Sequence, residues 1–153
     1  MKRVTDERTD RKEQDAMKIA ELKTVVSKAD ADLIFSMTRS QWESYTKGLA
    51  LPEGWKIRLD PSAEGTSVFA HDTIAGMALS IKPYYDNAID PPEVLFIGRH
   101  YPLGKGPRFT ADFKQNLEEK TKRDLGPGYS VSVAYTKSSS FEEVELIIKR
   151  AGR

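Results

Sequence analysis

Trp55-Lys56-Ile57-Arg58-Leu59-Asp60 alternates apolar and charged residues without a break. Side chains of a strand point to opposite faces in turn, so this stretch predicts a β-strand with one buried and one wet face. The next residues, Asp60-Pro61-Ser62-Ala63-Glu64-Gly65, are turn formers. Ser67 to Asp72 reads as a second strand, and Ala75-Gly76 as a tight connection. Met77, Leu79 and Ile81 alternate with Ala78, Ser80 and Lys82 in a third strand. The loop Asp86 to Pro92 follows, and its prolines forbid a central strand there. Glu93 to Gly98 is apolar on both faces and reads as a central fourth strand. Short links between successive strands imply an antiparallel meander.

Beyond the meander the period changes. Phe109, Phe113, Leu117 and Leu125 fall on one helical face. Thr110 is the expected N-cap, Lys120, Lys122 and Arg123 close the last turns, and Gly126-Pro127 stops the helix. Tyr129, Val131, Val133 and Tyr135 then alternate with small polar residues in a fifth strand. The segment 141–150 satisfies two patterns. Val144, Leu146 and Ile148 alternate like a strand, whereas Ser140 with Glu143 forms a capping box and Lys149 and Arg150 come last. The capping and charge order predict a helix.

Before the meander, 13–28 shows an apolar face of Ala16, Ile19, Ala20, Leu22 and Val26 and reads as a helix. Residues 31–37 fit helix or strand equally. Ser40 and Glu43 predict a short helix burying Trp42, Tyr45 and Leu49, ended by Gly48 and Pro52. Residues 1–12 alternate charge signs and read as a lead-in to a single domain over 13–153. The fold class that results is α+β: an antiparallel sheet of about five strands, four in a meander plus one, with helices packed mainly on one face.

Composition bounds the function. A chain of 153 residues builds a core without staples, since it can bury roughly two thirds of its unfolded surface. The 24 Lys and Arg against 23 Asp and Glu leave a net charge of +1, too small for a duplex-binding field. No cysteine is present, which removes thiol catalysis, Cys-ligated zinc and disulfides. The charged N-terminus has no secretory apolar core, and no run of about 18 apolar residues exists to span a membrane. These features fit a soluble, cytoplasmic protein.

The candidate chemistry sits near two histidines. His71 ends the second strand and His100 follows the fourth, and both strands run the same way in a meander. With one strand between them, their backbones would stand roughly 10 Å apart. His71-Asp72-Thr73 resembles the H-x-T element of the two-histidine phosphoesterases, where one imidazole acts as base and the other as acid. The second copy is broken, because His100-Tyr101-Pro102 has proline at the hydroxyl position. The stretch 98–108, GRHYPLGKGPR, is glycine-rich and carries Arg99, Lys105 and Arg108 between a strand and a helix. Backbone amides in such a loop can hold an anion, although the glycine spacing is not that of a P-loop. Tyr84, Tyr85 and Tyr101 flank the same loops. His71, Asp72, Asp86, Asp90 and His100 are metal-ligand types without a metal spacing, so no metal or other cofactor is expected.

Two functions follow. The first is a small non-catalytic binding or interaction protein, a regulator, inhibitor or immunity-type module. It would take a protein partner or a second copy of itself. The alternative is a small enzyme or ligand-binding domain for an anionic phosphate- or carboxylate-bearing molecule. It would use His71 and His100 as catalytic groups and Arg99, Lys105, Arg108, Tyr101 and Thr73 as ligand contacts. That alternative requires both histidines and the three cations to line one cleft.

Overall fold

The computed structural model describes residues 26–47, 53–60, 67–74, 76–85 and 91–150. The lead-in 1–12 and all but the last three residues of the helix expected over 13–28 lie outside them. Among the described residues are three helices and six strands. They are α1 (Lys28–Phe35), α2 (Arg39–Lys47), β1 (Trp55–Asp60), β2 (Ser67–Asp72), β3 (Ala78–Tyr84), β4 (Val94–Pro102), α3 (Ala111–Leu125), β5 (Tyr129–Lys137) and β6 (Phe141–Arg150). The strands form one antiparallel sheet in the order β1-β2-β3-β4-β6-β5. The fold is α+β, as the alternation of the central strands implies.

The meander follows its sequence pattern closely. β1 pairs with β2 from Trp55↔Asp72 to Asp60↔Ser67, and β2 with β3 from Val68↔Ile81 to His71↔Ala78. β4 is longer than its apolar run. It continues past Gly98, paired with β3 as far as His100 and with β6 as far as Pro102. Gly98 to Pro102 therefore belong to the sheet, and only residues 103–110 link β4 to α3.

The sheet has six strands where about five were expected, and β6 is the difference. The helix expected over 141–150 is a strand. Ser138, next to the apparent capping box of Ser140 and Glu143, closes a hairpin instead. The Ser138 amide donates to the Phe141 carbonyl at 2.9 Å, and Ser138 Oγ accepts from the Phe141 amide at 3.1 Å. β6 then slots between β4 and β5 with nine paired positions on each side. Two ladders satisfy its backbone on both edges, and that outweighs the few tenths to about 2 kcal/mol that capping and dipole terms supply. Leu146, fully buried, fits the alternation and would break the helical stripe.

The ambiguous segment 31–37 resolves as helix. Ser27 caps α1 by accepting from the Asp30 amide at 3.1 Å, and Ala31, Ile34 and Phe35 turn inward at three- and four-residue steps. α2 starts slightly earlier than the Ser40–Glu43 box implies. Its capping pair is Thr38 with Gln41: the Gln41 amide donates to Thr38 Oγ1 at 3.3 Å, and the Thr38 amide donates to Gln41 Oε1 at 2.9 Å. α2 buries Trp42 and Thr46; Tyr45 packs half-buried, and Leu49 lies outside the described residues. α3 begins at its expected cap, where Thr110 Oγ1 accepts from the Phe113 amide at 3.1 Å. It stops at Gly126, whose φ of 88° and ψ of −178° lie in a region essentially reserved for glycine.

The helices cover one face. Val68, Leu79, Ile97, Leu146 and Val133 on that face join Ile34, Phe35, Trp42 and Leu125 in a single core. The alternate positions, among them Phe69, His71, Ser80, His100 and Glu143, form the other face, and no described helix packs over it.

Candidate functional site

Strand register assembles the site on the face that no described helix covers. Ser80 on β3 lies opposite Gly98 on β4, and Gly98 lies opposite Glu145 on β6. His100, two residues further along β4, lies opposite Glu143. His100 Nε2 stands 3.1 Å from Ser80 Oγ and 3.1 Å from Glu143 Oε2. Glycine at 98 makes this convergence fit. A Cβ there would stand 2.6 Å from Ser80 Oγ, 2.6 Å from Glu143 Oε2 and 3.2 Å from His100 Nε2. Aromatic rings flank the imidazole, with Phe69 at 5.4 Å and Phe141 at 5.8 Å between centroids. Both rings reach solvent, at 36% and 40% exposure.

Burial sets the electrostatics. It pulls the pKa of His100 down and pushes that of Glu143 up. Glu145 is raised first by burial and then by the charge of Glu143, against the opposing pull of Lys82. Burial thus disfavours the charged form of both partners of the His100–Glu143 contact. The geometry is not a serine-protease relay. That relay needs the acid on one imidazole nitrogen and the hydroxyl on the other, and here both meet Nε2.

The residues expected to act together divide. His71 and His100 both pair with Ala78, so they share a face one strand apart, and His71 is exposed. Arg99 and Tyr101 occupy the alternate positions and point to the helix-covered side. Arg99 is only 5% exposed, and burial lowers its pKa. Tyr101 is half-buried against the core. Thr73 is committed to structure: its amide and Oγ1 donate to the Gly54 carbonyl at 2.8 and 2.7 Å. Lys105 and Arg108 are exposed on the link to α3. The histidines and the three cations therefore do not line one cleft, since a two-faced sheet separates neighbours such as Arg99 and His100.

The glycine-rich link does form an anion nest, and the chain fills it. The amides of Gly104 and Gly106 donate to Glu142 Oε2 at 2.8 and 3.2 Å. The Tyr135 hydroxyl donates to the other carboxylate oxygen. These contacts hold the Glu142 pKa below its usual value, the Tyr135 hydroxyl most strongly, then the Gly106 and Gly104 amides and the Lys137 charge. The amides expected to receive an external anion already have one.

A pH dependence follows from Glu142. A carboxylate with a depressed folded-state pKa stabilises the fold above its ordinary value of 4.5, and that contribution is lost as pH falls through the folded value. Urea unfolding of the wild type should therefore weaken more steeply on acidification below this point than that of Glu142→Gln. The slope difference should have the sign of proton uptake on unfolding. Parallel pH profiles would refute the nest.

Ser80, Glu145, Phe69 and Phe141 are absent from the residues that the sequence singles out. One signal was available. Read as a strand, 141–150 places Glu143 and Glu145 together on the face opposite Val144 and Leu146. Among the described residues, no group of three His, Asp or Glu side chains is placed to hold a metal ion. No described helix is long and apolar enough to cross a membrane.

The chain matches no family model, no curated protein and no solved structure. The site's own geometry thus carries the functional reading.

Proposed function

We propose that this chain is a non-catalytic binding protein that takes a protein partner on the open face of its sheet, centred on Phe69, His100 and Phe141. The observation that carries this reading is the row of two solvent-reaching phenyl rings on either side of an imidazole held by Ser80 and Glu143. Aromatic side chains on a rigid scaffold are the usual anchors of protein interfaces. A sheet face is open, whereas small molecules are held in concave pockets that bury most of their surface. The sharing of one imidazole nitrogen by Ser80 and Glu143 favours a positioning role for His100 over a nucleophilic relay. A cytoplasmic setting belongs to the same reading and accords with the lack of cysteine.

The test begins with capture of partners from the native cell and continues with the purified partner. Titration against Phe69→Ala/Phe141→Ala should show at least about tenfold weaker binding, or about 1.4 kcal/mol, than the wild type. Lys114→Ala, on the exposed side of α3, serves as the control and should bind normally. Equal affinity of the double phenylalanine variant would sink the proposal. A substrate-consuming activity abolished by His71→Ala/His100→Ala would replace it with the enzymatic alternative.

A further inference from the structure

Among the described residues, β5 is an edge of the sheet, paired with β6 on one side only. An edge strand offers unsatisfied N–H and C=O groups to any incoming strand. The composition of β5 invites such pairing. Tyr129-Ser130-Val131-Ser132-Val133-Ala134-Tyr135-Thr136-Lys137 has no acidic residue and no charge before its last position. β-branched and aromatic residues fill its inward positions, which favours strand structure.

The sequence is also complementary to itself. An antiparallel copy centred on Ser132 sets Val131 against Val133, Tyr129 against Tyr135 and Ser130 against Ala134. Backbone polar groups alternate sides along a strand. The Val133 amide points away from β6, so Val131 presents its own groups to the same edge. In that register each Val133 N–H would donate to the Val131 carbonyl of the second copy.

One side chain stands in the way. Glu118, midway along α3, accepts from the Val133 amide through Oε2 at 3.0 Å. Its carboxylate occupies the position that the second copy's carbonyl would need. It also places a negative charge where another carbonyl oxygen would approach. α3 packs along β5 and carries Glu118 to this point.

We infer that β5 is a self-pairing edge whose occupant is a second copy of this chain, and that Glu118 holds it shut. Removing the carboxylate opens the central bond of the pairing register, and two sheets join through β5. This interface is separate from the open face assigned to a partner, so the two readings stand or fall independently.

Sedimentation of the full chain tests the inference. The wild type should remain monomeric up to its solubility limit. Glu118→Ala should associate as a dimer at least about tenfold more tightly, a difference of about 1.4 kcal/mol. Val133→Pro removes an N–H that points away from β6, as an edge allows, and circular dichroism checks that the change at this core position leaves the sheet folded. Glu118→Ala/Val133→Pro should therefore return to monomer. Exchange of the Val131 amide should slow in the dimer. If Glu118→Ala does not fold, Glu118→Ser, uncharged and too short to bridge to the amide, should associate likewise. A wild type that already dimerises through β5 would overturn the inference. So would Glu118 variants that stay monomeric, or a dimer insensitive to Val133→Pro.

Discussion

Replacing Trp42 by alanine should lower folding stability by about 3–5 kcal/mol, as is typical for truncating a fully buried aromatic. Trp42 is 0% exposed. It lies on α2, a helix whose polar composition gives it little reason to dock except through this ring. Its indole stacks on Tyr45 at 6.2 Å with planes 29° apart, and it belongs to the same core as Ile34, Phe35 and Leu79. Truncation removes the transfer free energy of the ring and leaves a cavity that one short helix cannot refill. Domains of ordinary stability have about 5–15 kcal/mol in total, so the variant would be near its unfolding threshold. Urea denaturation followed by circular dichroism reads the change as a lower midpoint at unchanged slope. Tyr45→Ala, at a half-buried position, should cost clearly less. A loss below about 1 kcal/mol for Trp42→Ala would place it among ordinary substitutions and contradict its central packing.

The second large effect separates the two readings of residues 141–150. Leu146→Ala should cost about 2–5 kcal/mol, because Leu146 is fully buried between Ile97 on β4 and Val133 on β5. Ile147→Ala should cost about 1 kcal/mol, because Ile147 faces the open side beside Phe96 and Ser132 and is only partly buried. A helix would reverse the order. Its buried stripe would join Val144, Ile147 and Ile148 and leave Leu146 outside it. Equilibrium unfolding of both variants decides the matter. A cost for Ile147→Ala equal to or above that for Leu146→Ala would overturn the assignment of β6.

The consequence reaches beyond stability. If β6 were a helix, Glu143 would not lie opposite His100, and Glu142 would not reach the amides of Gly104 and Gly106. The open-face cluster and the internal anion nest both depend on one strand entering between β4 and β5. The segment whose local pattern misleads most is therefore also the one that builds the site. Ser80 reads as a routine strand residue, and Phe141 as the first apolar residue of a helix. Each becomes notable only when its cross-strand neighbour is known.

The two histidines illustrate the division at a finer scale. Their position on one face of the sheet, a strand apart, follows from alternation and from the parity of a meander. Their surroundings do not. His71 stands exposed, while His100 is held by residues about 20 and 43 positions away in the chain, across two different strand pairs. Arg99 shows the converse. Its place beside His100 in sequence put it with the anion-binding candidates, and the pleat turned it to the other side.

By itself, the sequence determined the four-stranded meander, the fifth strand, and α3 with its cap at Thr110 and its stop at Gly126. These rest on alternation, helical spacing and turn residues, all of which act within a few positions along the chain. Only the tertiary structure decided that 141–150 is a strand. It likewise decided that Glu142 fills the glycine-rich nest, that Glu118 covers the β5 edge, and that Ser80, His100 and Glu143 meet above Gly98. The physical reason is the same each time. A backbone edge or a side chain takes whichever partner satisfies it in space, and strand register brings those partners together from distant parts of the chain.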